Sequence, residues 1–311
     1  MQLRLFLIFI LSHLIGDFVI QSQSVCNQRF PKKMECGKQR ARKSIIKGNL
    51  IHSLLHAILL VFLILLFLQS NSYDIYGGGK LGLCYISILV FINLFSHFMI
   101  DCSKSWLAYE HMNLEFNLYF FLGDQLLHLM IILGLFSRYI KDWLNKLLLS
   151  MDTEGYINQL ERVDKILISG IVITFSTFFA GIFIKIFMEH LDFRNKVVVK
   201  ISQEKVHKKK VLPKNMPKSL ESSEGATQEG ENEIDGEMKQ GGYIIGILER
   251  FFILGAMMIS TPQLIGFMLT VKSIVRLKKM SKDKFAEYFL IGNLLSFLFA
   301  IIPGVLLQKL L

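Results

Sequence analysis

Residues 12–21 read SHLIGDFVIQ. They close an apolar block that runs from about Leu3 to Ile20, and their reading decides the fold. A secretory signal would end in a small-residue cleavage site and would keep its apolar region free of ionisable groups. Here His13 and Asp17 stand inside the block and no such site follows. The block is therefore expected to remain in the protein as a helix. At 1.5 Å per residue, about 20 residues cross a hydrocarbon core of about 30 Å.

Blocks of the same kind recur along the chain. Spans are expected at about Leu50 to Leu68, Leu81 to Ser103, Asn117 to Phe136, Ile166 to Met188 and Ala286 to Leu307. These blocks are too long and too evenly apolar for the alternating strands of about 10 residues that build membrane barrels. The composition agrees: of 311 residues, 52% are hydrophobic and only 19% charged, with a mean hydropathy of +0.44. Soluble domains carry about a quarter charged residues. A soluble globular enzyme, a secreted disulfide scaffold and a nucleic-acid-binding domain with a membrane anchor are all excluded. The expected fold is all-α, a polytopic membrane helical bundle.

The loops orient it. Between the first two blocks lie Arg29, Lys32, Lys33, Lys38, Arg40, Arg42, Lys43 and Lys47 against one acid, Glu35. Such a loop stays in the cytosol. The net charge of +10 reads mainly as this bias, with nucleic acid an unlikely partner. Cys26 and Cys36 fall in the same loop and are expected to be reduced thiols. None of the four cysteines forms a close Cys-x-x-Cys pair.

The remaining segments divide the chain. Residues 1–137 form a four-helix core. Residues 138–165, with Trp143 and Leu147 to Leu149, are expected as an interfacial segment on the outer face. Residues 166–188 make the fifth transmembrane helix. Residues 189–241 are basic and then acidic, and are expected to be a disordered cytosolic linker that can recruit a partner. In 242–311, Tyr243 to Val271 is apolar but holds Glu249, Arg250 and a central Pro262. A full crossing there would put Lys272, Arg276, Lys278 and Lys279 outside, against the charge bias. Two half-helices joined near Ser260-Thr261-Pro262 remove the conflict. Six full spans plus a re-entrant hairpin are expected, with seven spans as the alternative. Glu287 opens the last span, where a carboxylate suits the helix dipole.

The chemistry lies in the first four spans. Span one carries His13 and Asp17; span two reads HSLLH, with His52 and His56. Span three reads SHFMIDCSK, with His97 and Asp101; span four reads DQLLH, with Asp124 and His128. Residues four apart share a helix face, so each helix presents one polar patch. The order repeats, with Ser-His-x-x-x-Asp on spans one and three. A duplicated helix hairpin with a pseudo-twofold axis is expected. Counted from the cytosolic ends, all eight side chains fall at about 4 to 16 Å depth, in one layer of the inner leaflet.

Cost argues that this layer has a use. An Asp near mid-bilayer costs roughly 2.5–3.5 kcal/mol, so three cost on the order of 8–10 kcal/mol, somewhat less off centre. Interhelical polar contacts average only about 0.6 kcal/mol, whereas a structural zinc site supplies about 10–16 kcal/mol. Neutral imidazole and carboxylate suit zinc, iron or manganese. The expected ligands are His13, His52, His56, His97, Asp101 and His128, with Asp17 and Asp124 as catalytic bases and zinc as the first choice of divalent metal. Eight groups exceed one tetrahedral shell, so either two metals bind or some carboxylates orient the imidazoles. Rival readings are a hydrogen-bonded network that only locks helix register, a proton or ion relay, and a bis-histidine haem. Gln21 and Lys104 are placed to extend the patches. His111, His190 and His207 are read as inert.

These quoted runs resemble bacterial membrane proteins grouped as domain of unknown function 3307. The likeness covers roughly residues 5–136, and IGILERFFIL, IGFMLTVKSIVRL and FAEYFLIGNLLS resemble the tail of such proteins. The resemblance implies an integral membrane bundle and brings no activity with it. A more distant likeness is to membrane-bound metal-dependent hydrolases, although their His-Arg-Gly-x-Thr-His run is absent here. The expected function is a bacterial plasma-membrane protein with a buried His/Asp metal site near the cytosolic leaflet. Hydrolysis of a lipid-linked or phosphorylated substrate is the first candidate reaction, with anionic headgroups held at the basic face. An ion- or proton-coupled transporter and a non-catalytic scaffold are the alternatives.

Overall fold

The apolar blocks are helices, and several outrun the apolar stretch that predicts them. The structure is a computed structural model, described here for residues 2–32, 37–68, 80–111, 117–141, 160–191, 228–276 and 283–310. Helix α1 spans Gln2–Ile15 and passes into a π-turn at Gly16–Ile20. Then come α2 (Gln23–Arg29), α3 (Lys38–Leu68), α4 (Lys80–Glu110) and α5 (Leu118–Leu135). Helix α6 starts at Arg162–Thr174, widens into a second π-turn at Phe175–Phe179 and runs on to Leu191. Helices α7 (Gln228–Met258), α8 (Gln263–Arg276) and α9 (Asp283–Leu310) complete the chain. Among the described residues there is no strand, and seven helices are long and apolar enough to cross a membrane. The protein is an all-α, multi-pass membrane bundle.

The first four long helices close a ring. Helix α1 packs on α3, α3 on α4, α4 on α5, and α5 returns to α1. This is the arrangement a duplicated hairpin produces, with α1 matched to α4 and α3 to α5. One half of the ring is dry. Leu5, Ile8 and Phe9 of α1, Leu60 and Leu63 of α3, Leu89 of α4 and Ile132 of α5 are buried together with Phe136, and Leu167 of α6 joins them. At that end Arg4 donates from Nε to Asp164 at 3.0 Å and from Nη2 to Glu161 at 2.8 Å, which pins α1 to α6.

The other half of the ring is closed by a segment that sequence reading treats as a basic loop. Residues 23–29 are a helix, capped by the Ser22 side chain accepting from the Val25 N–H at 3.4 Å. Lys38 to Lys47 are the first turns of α3. The correction has a simple cause: Lys, Arg and Gln form helix well, and a helix may begin in water before it enters the bilayer. Helix α2 lies close against α3 at Gly48. A β-carbon there would come within 2.8 Å of the Arg29 backbone nitrogen, so glycine is what lets the two backbones approach.

The C-terminal helices form a second unit. The break expected at Ser260-Thr261-Pro262 is present: Ser260 adopts a left-handed φ of 56°, and the Thr261 N–H returns to Ala256 O at 2.9 Å. The chain then reverses, because Lys272 of α8 reaches Glu249 of α7 at 2.6 Å. Helix α9 lies beside both, with Ile253, Ala256, Ile265 and Ala300 buried between them. By length, the α7 segment Gly241–Met258 is enough for a crossing, whereas α8 contributes only the shorter apolar stretch Gln263–Ile274. Helix α7 begins at Gln228, inside the expected linker. Most of that linker (192–227), most of the expected interfacial segment (142–159) and Lys278 lie outside the described residues. Among the described residues, Cys26, Cys84 and Cys102 form no disulfide.

Candidate metal centre

The four-residue spacing places all eight expected side chains in the half of the ring below the dry core. His52 is 1% exposed and Asp101 1%, while His97 and His128 are each 3% exposed. His13, His56 and Asp124 are buried as well. Asp17 sits nearest the middle. Its Oδ1 lies 3.1 Å from His52 Nε2, 3.1 Å from His56 Nε2 and 4.0 Å from His97 Nε2. Its Oδ2 lies 3.7 Å from His13 Nε2 and accepts from Gln125 Nε2 at 3.1 Å.

Asp101 occupies the matching place on α4. Its Oδ2 lies 3.3 Å from His97 Nε2 and 3.5 Å from His52 Nε2, and its Oδ1 lies 3.9 Å from His128 Nε2. The ring contacts follow the same pairing. His97 meets His56 at 4.1 Å between centroids, and His13 meets His128 at 4.9 Å. These are equivalent pairs under the exchange of α1 with α4 and α3 with α5. The duplication inferred from the sequence is therefore visible in the side chains.

Two local features let the groups meet. Asp17 is the second residue of the π-turn, where an extra residue per turn resets the helix face, as at many functional sites. Gly16 precedes it. The His56 ring lies directly on Gly16, and a β-carbon there would overlap ring atoms Nε2 and Cε1. The absence of a side chain at Gly16 is what brings α3 close enough for His56 to reach Asp17.

Two groups of potential ligand atoms lie within 4.8 Å of one another: Asp17, His52, His56 and His97, and then His97, Asp101 and His128. His97 belongs to both. His13 belongs to neither and stacks on His128. Asp124 also stands apart: its Oδ2 accepts from Lys104 Nζ at 2.6 Å and from Gln125 Nε2 at 3.1 Å. The chemistry of this donor set fits a divalent cation. The buried Nε2 atoms of His13, His56, His97 and His128 have no hydrogen-bond partner, and neither do Asp101 Oδ2 and Asp124 Oδ1. His128 Nδ1 donates to the main-chain carbonyl of Asp124 at 2.9 Å. In the neutral ring that donation leaves Nε2 with a bare lone pair, turned toward a carboxylate oxygen. That oxygen, Asp101 Oδ1, lies 3.9 Å away and already meets Arg29 Nη2 at 2.8 Å, so the atoms left for a cation are Asp101 Oδ2 and the unpartnered imidazole Nε2 atoms.

The sequence reading misses a set of supporting residues. Arg29, counted as a cytosolic loop charge, is 3% exposed. Its Nη2 lies 2.8 Å from Asp101 Oδ1 and its Nε donates to Asn49 Oδ1 at 2.7 Å. Asn49 in turn donates to Ser105 Oγ at 3.0 Å. Gln21 completes the link: with its amide oriented to suit both neighbours, it donates to Asp17 O at 3.2 Å and accepts from Arg29 Nη1 at 2.9 Å. Of the two residues expected to extend the patches, both do so, Lys104 through Asp124 and Gln21 through Arg29. His111 is exposed, and His190 touches only the Tyr119 ring, at 5.6 Å between centroids, among described ring contacts.

No curated protein and no solved structure matches this chain. One family model does, and its matched segment ends before α6. Residues 5–154, which hold every member of the His/Asp cluster, match the family described as Protein of unknown function (DUF3307), and it is through this N-terminal segment that the chain resembles that family.

Proposed function

We propose that the cluster is a divalent-metal centre in a bacterial plasma-membrane protein, with zinc as the best-suited ion. The observation that carries this reading is the convergence of the buried ligand atoms of Asp17, His52, His56 and His97, and of His97, Asp101 and His128, within 4.8 Å, with the Nε2 atoms of His56, His97 and His128 left without a hydrogen bond while His52 Nε2 bonds Asp17. A network built only to lock helices would use up those atoms, since an unsatisfied buried polar group costs about 1–3 kcal/mol. Imidazole and carboxylate together favour zinc among the common ions. Asp17, His52, His56 and His97 would hold it, with Asp101 and His128 beside them.

The reaction we propose is hydrolysis of a lipid-linked or phosphorylated substrate. A bound divalent ion would supply a nucleophile near neutral pH by acidifying water. The protein's own groups supply the rest. Asp17 lies among the imidazoles and is better placed as a ligand than as a base. Asp124 keeps Oδ1 unpartnered while Lys104 and Gln125 hold Oδ2, which leaves one oxygen to accept a proton. Lys38, Arg40 and Lys43 line an open hollow at the start of α3, a surface suited to anionic headgroups.

The test is elemental analysis of protein purified without chelator, beside His56→Ala and His97→Ala. Near-stoichiometric zinc in the wild type and its loss in both variants supports the reading. Equal trace metal in all three overturns it.

A further inference from the structure

The two matched halves of the cluster are not equivalent in charge. In the half around Asp17, the carboxylate meets only imidazoles and the Gln125 amide; among the described residues no lysine or arginine lies within ion-pair distance of it. In the matched half, both carboxylates already hold a cation of the protein. Arg29 Nη2 lies 2.8 Å from Asp101 Oδ1, and Lys104 Nζ lies 2.6 Å from Asp124 Oδ2. Duplication makes two metal-like pockets, and the sequence has then filled one of them from within. Position decides which: the α1 copy has Ile20 and Gln21 where the α4 copy has Lys104 and Ser105, and α2 delivers Arg29 toward Asp101 alone.

We infer that the centre has two half-sites of unequal affinity, a tight one at Asp17, His52, His56 and His97, and a weak one at Asp101 and His128 that Arg29 and Lys104 hold nearly neutral. This rests on the metal reading above and deepens it. With neutral imidazoles, the three carboxylates and two fixed cations leave one uncompensated negative charge, and it belongs to Asp17. One divalent cation there leaves a single positive charge. A second would have to enter beside Arg29 and Lys104, in a site of low dielectric where like charges repel strongly. Arg29 and Lys104 thus stand where a second ion would otherwise bind, and the protein needs only one ion to complete the cluster.

Zinc titration of chelator-stripped, detergent-purified full-length protein tests this, read by equilibrium dialysis with elemental analysis. The wild type should hold one equivalent tightly and a second at least tenfold more weakly. Asp17→Asn should abolish the tight equivalent, whereas Asp101→Asn should retain it within a fewfold. Lys104→Met should strengthen the second site toward the first by about tenfold, with Lys104→Gln as the variant that keeps a hydrogen bond to Asp124 if the first fails to fold. Two equivalents of equal affinity in the wild type would overturn the inference and leave the metal centre standing. So would loss of the tight equivalent in Asp101→Asn with its retention in Asp17→Asn. No zinc at all in the wild type would overturn the metal reading itself.

Discussion

Two buried polar clusters lie among these helices, and they end differently. In the C-terminal unit, Glu249 and Lys272 pair at 2.6 Å, and Lys272 also donates to Asn293 at 2.6 Å. Arg250 donates to Thr177 O at 2.9 and 3.2 Å and to Ser296 Oγ at 3.1 Å. Among these residues no buried side-chain atom lacks a partner. In the N-terminal ring, four imidazole nitrogens and two carboxylate oxygens lack one. The first cluster is complete as a structural joint, fastening α7 to the π-turn of α6 and to α9. The second leaves buried atoms that the ion proposed above would satisfy. Counting charged residues in a membrane helix does not separate these cases; counting unpartnered atoms does.

The largest expected effect lies in the joint. Lys272→Ala leaves Glu249 buried without its cation, and removing one partner of a buried pair costs about 3–5 kcal/mol. Denaturant or thermal unfolding in detergent should show that loss with zinc content unchanged. Loss of zinc together with stability would mean that the two clusters are one system. Next comes loading of the ring. At free zinc 100 times its dissociation constant, binding to the folded state alone adds about 2.7 kcal/mol. Unfolding of stripped and reloaded protein should differ by about that much, and the gap should vanish in Asp17→Asn. A gap that persists in that variant would place the ion elsewhere.

Gly16→Ala is a finer probe, because it leaves every proposed ligand side chain in place in the sequence. The added methyl must displace the His56 ring, and overpacking of this kind costs about 1–3 kcal/mol. The expected result is a rise of at least tenfold in the zinc dissociation constant with the bundle still folded. Unchanged zinc affinity would remove His56 from the ligand set. The smallest effect is expected at Lys38→Ala. Lys38 pairs with Glu110 at 3.1 Å but is 71% exposed, so stability should move by no more than about 0.5 kcal/mol. A larger change in unfolding would show that the basic end of the ring is less open to water than its exposure implies.

Much of this was legible in the sequence because it follows from spacing. The pairs His13/Asp17, His52/His56, His97/Asp101 and Asp124/His128 sit four residues apart, and helix geometry then fixes one face for each. The reversal at Ser260 was legible because proline breaks a helix and because the lysines beyond it resist translocation. Arg29 was not legible. In a run of basic residues every cation looks like a loop charge, and only the close packing of α2 on Gly48 singles one out for burial. The π-turn at Gly16–Ile20 was hidden for a related reason: no local residue pattern distinguishes one wide turn from ordinary helix. Glu249 and Arg250 were legible as anomalies but not as a joint. As neighbours they point to different partners, on α8 in one case and on α6 and α9 in the other.

The dry layer of Leu5, Ile8, Phe9, Leu60, Leu63, Leu89 and Ile132 has an electrical consequence. In an energised membrane the voltage falls mostly across material that cannot polarise, and moving one elementary charge through the whole drop of 100 mV takes about 2.3 kcal/mol. If an ion binds at Asp17 as proposed above, that apolar layer would stand between it and the Arg4 end of the ring, so filling the cluster would not by itself open a path for charge through the bundle.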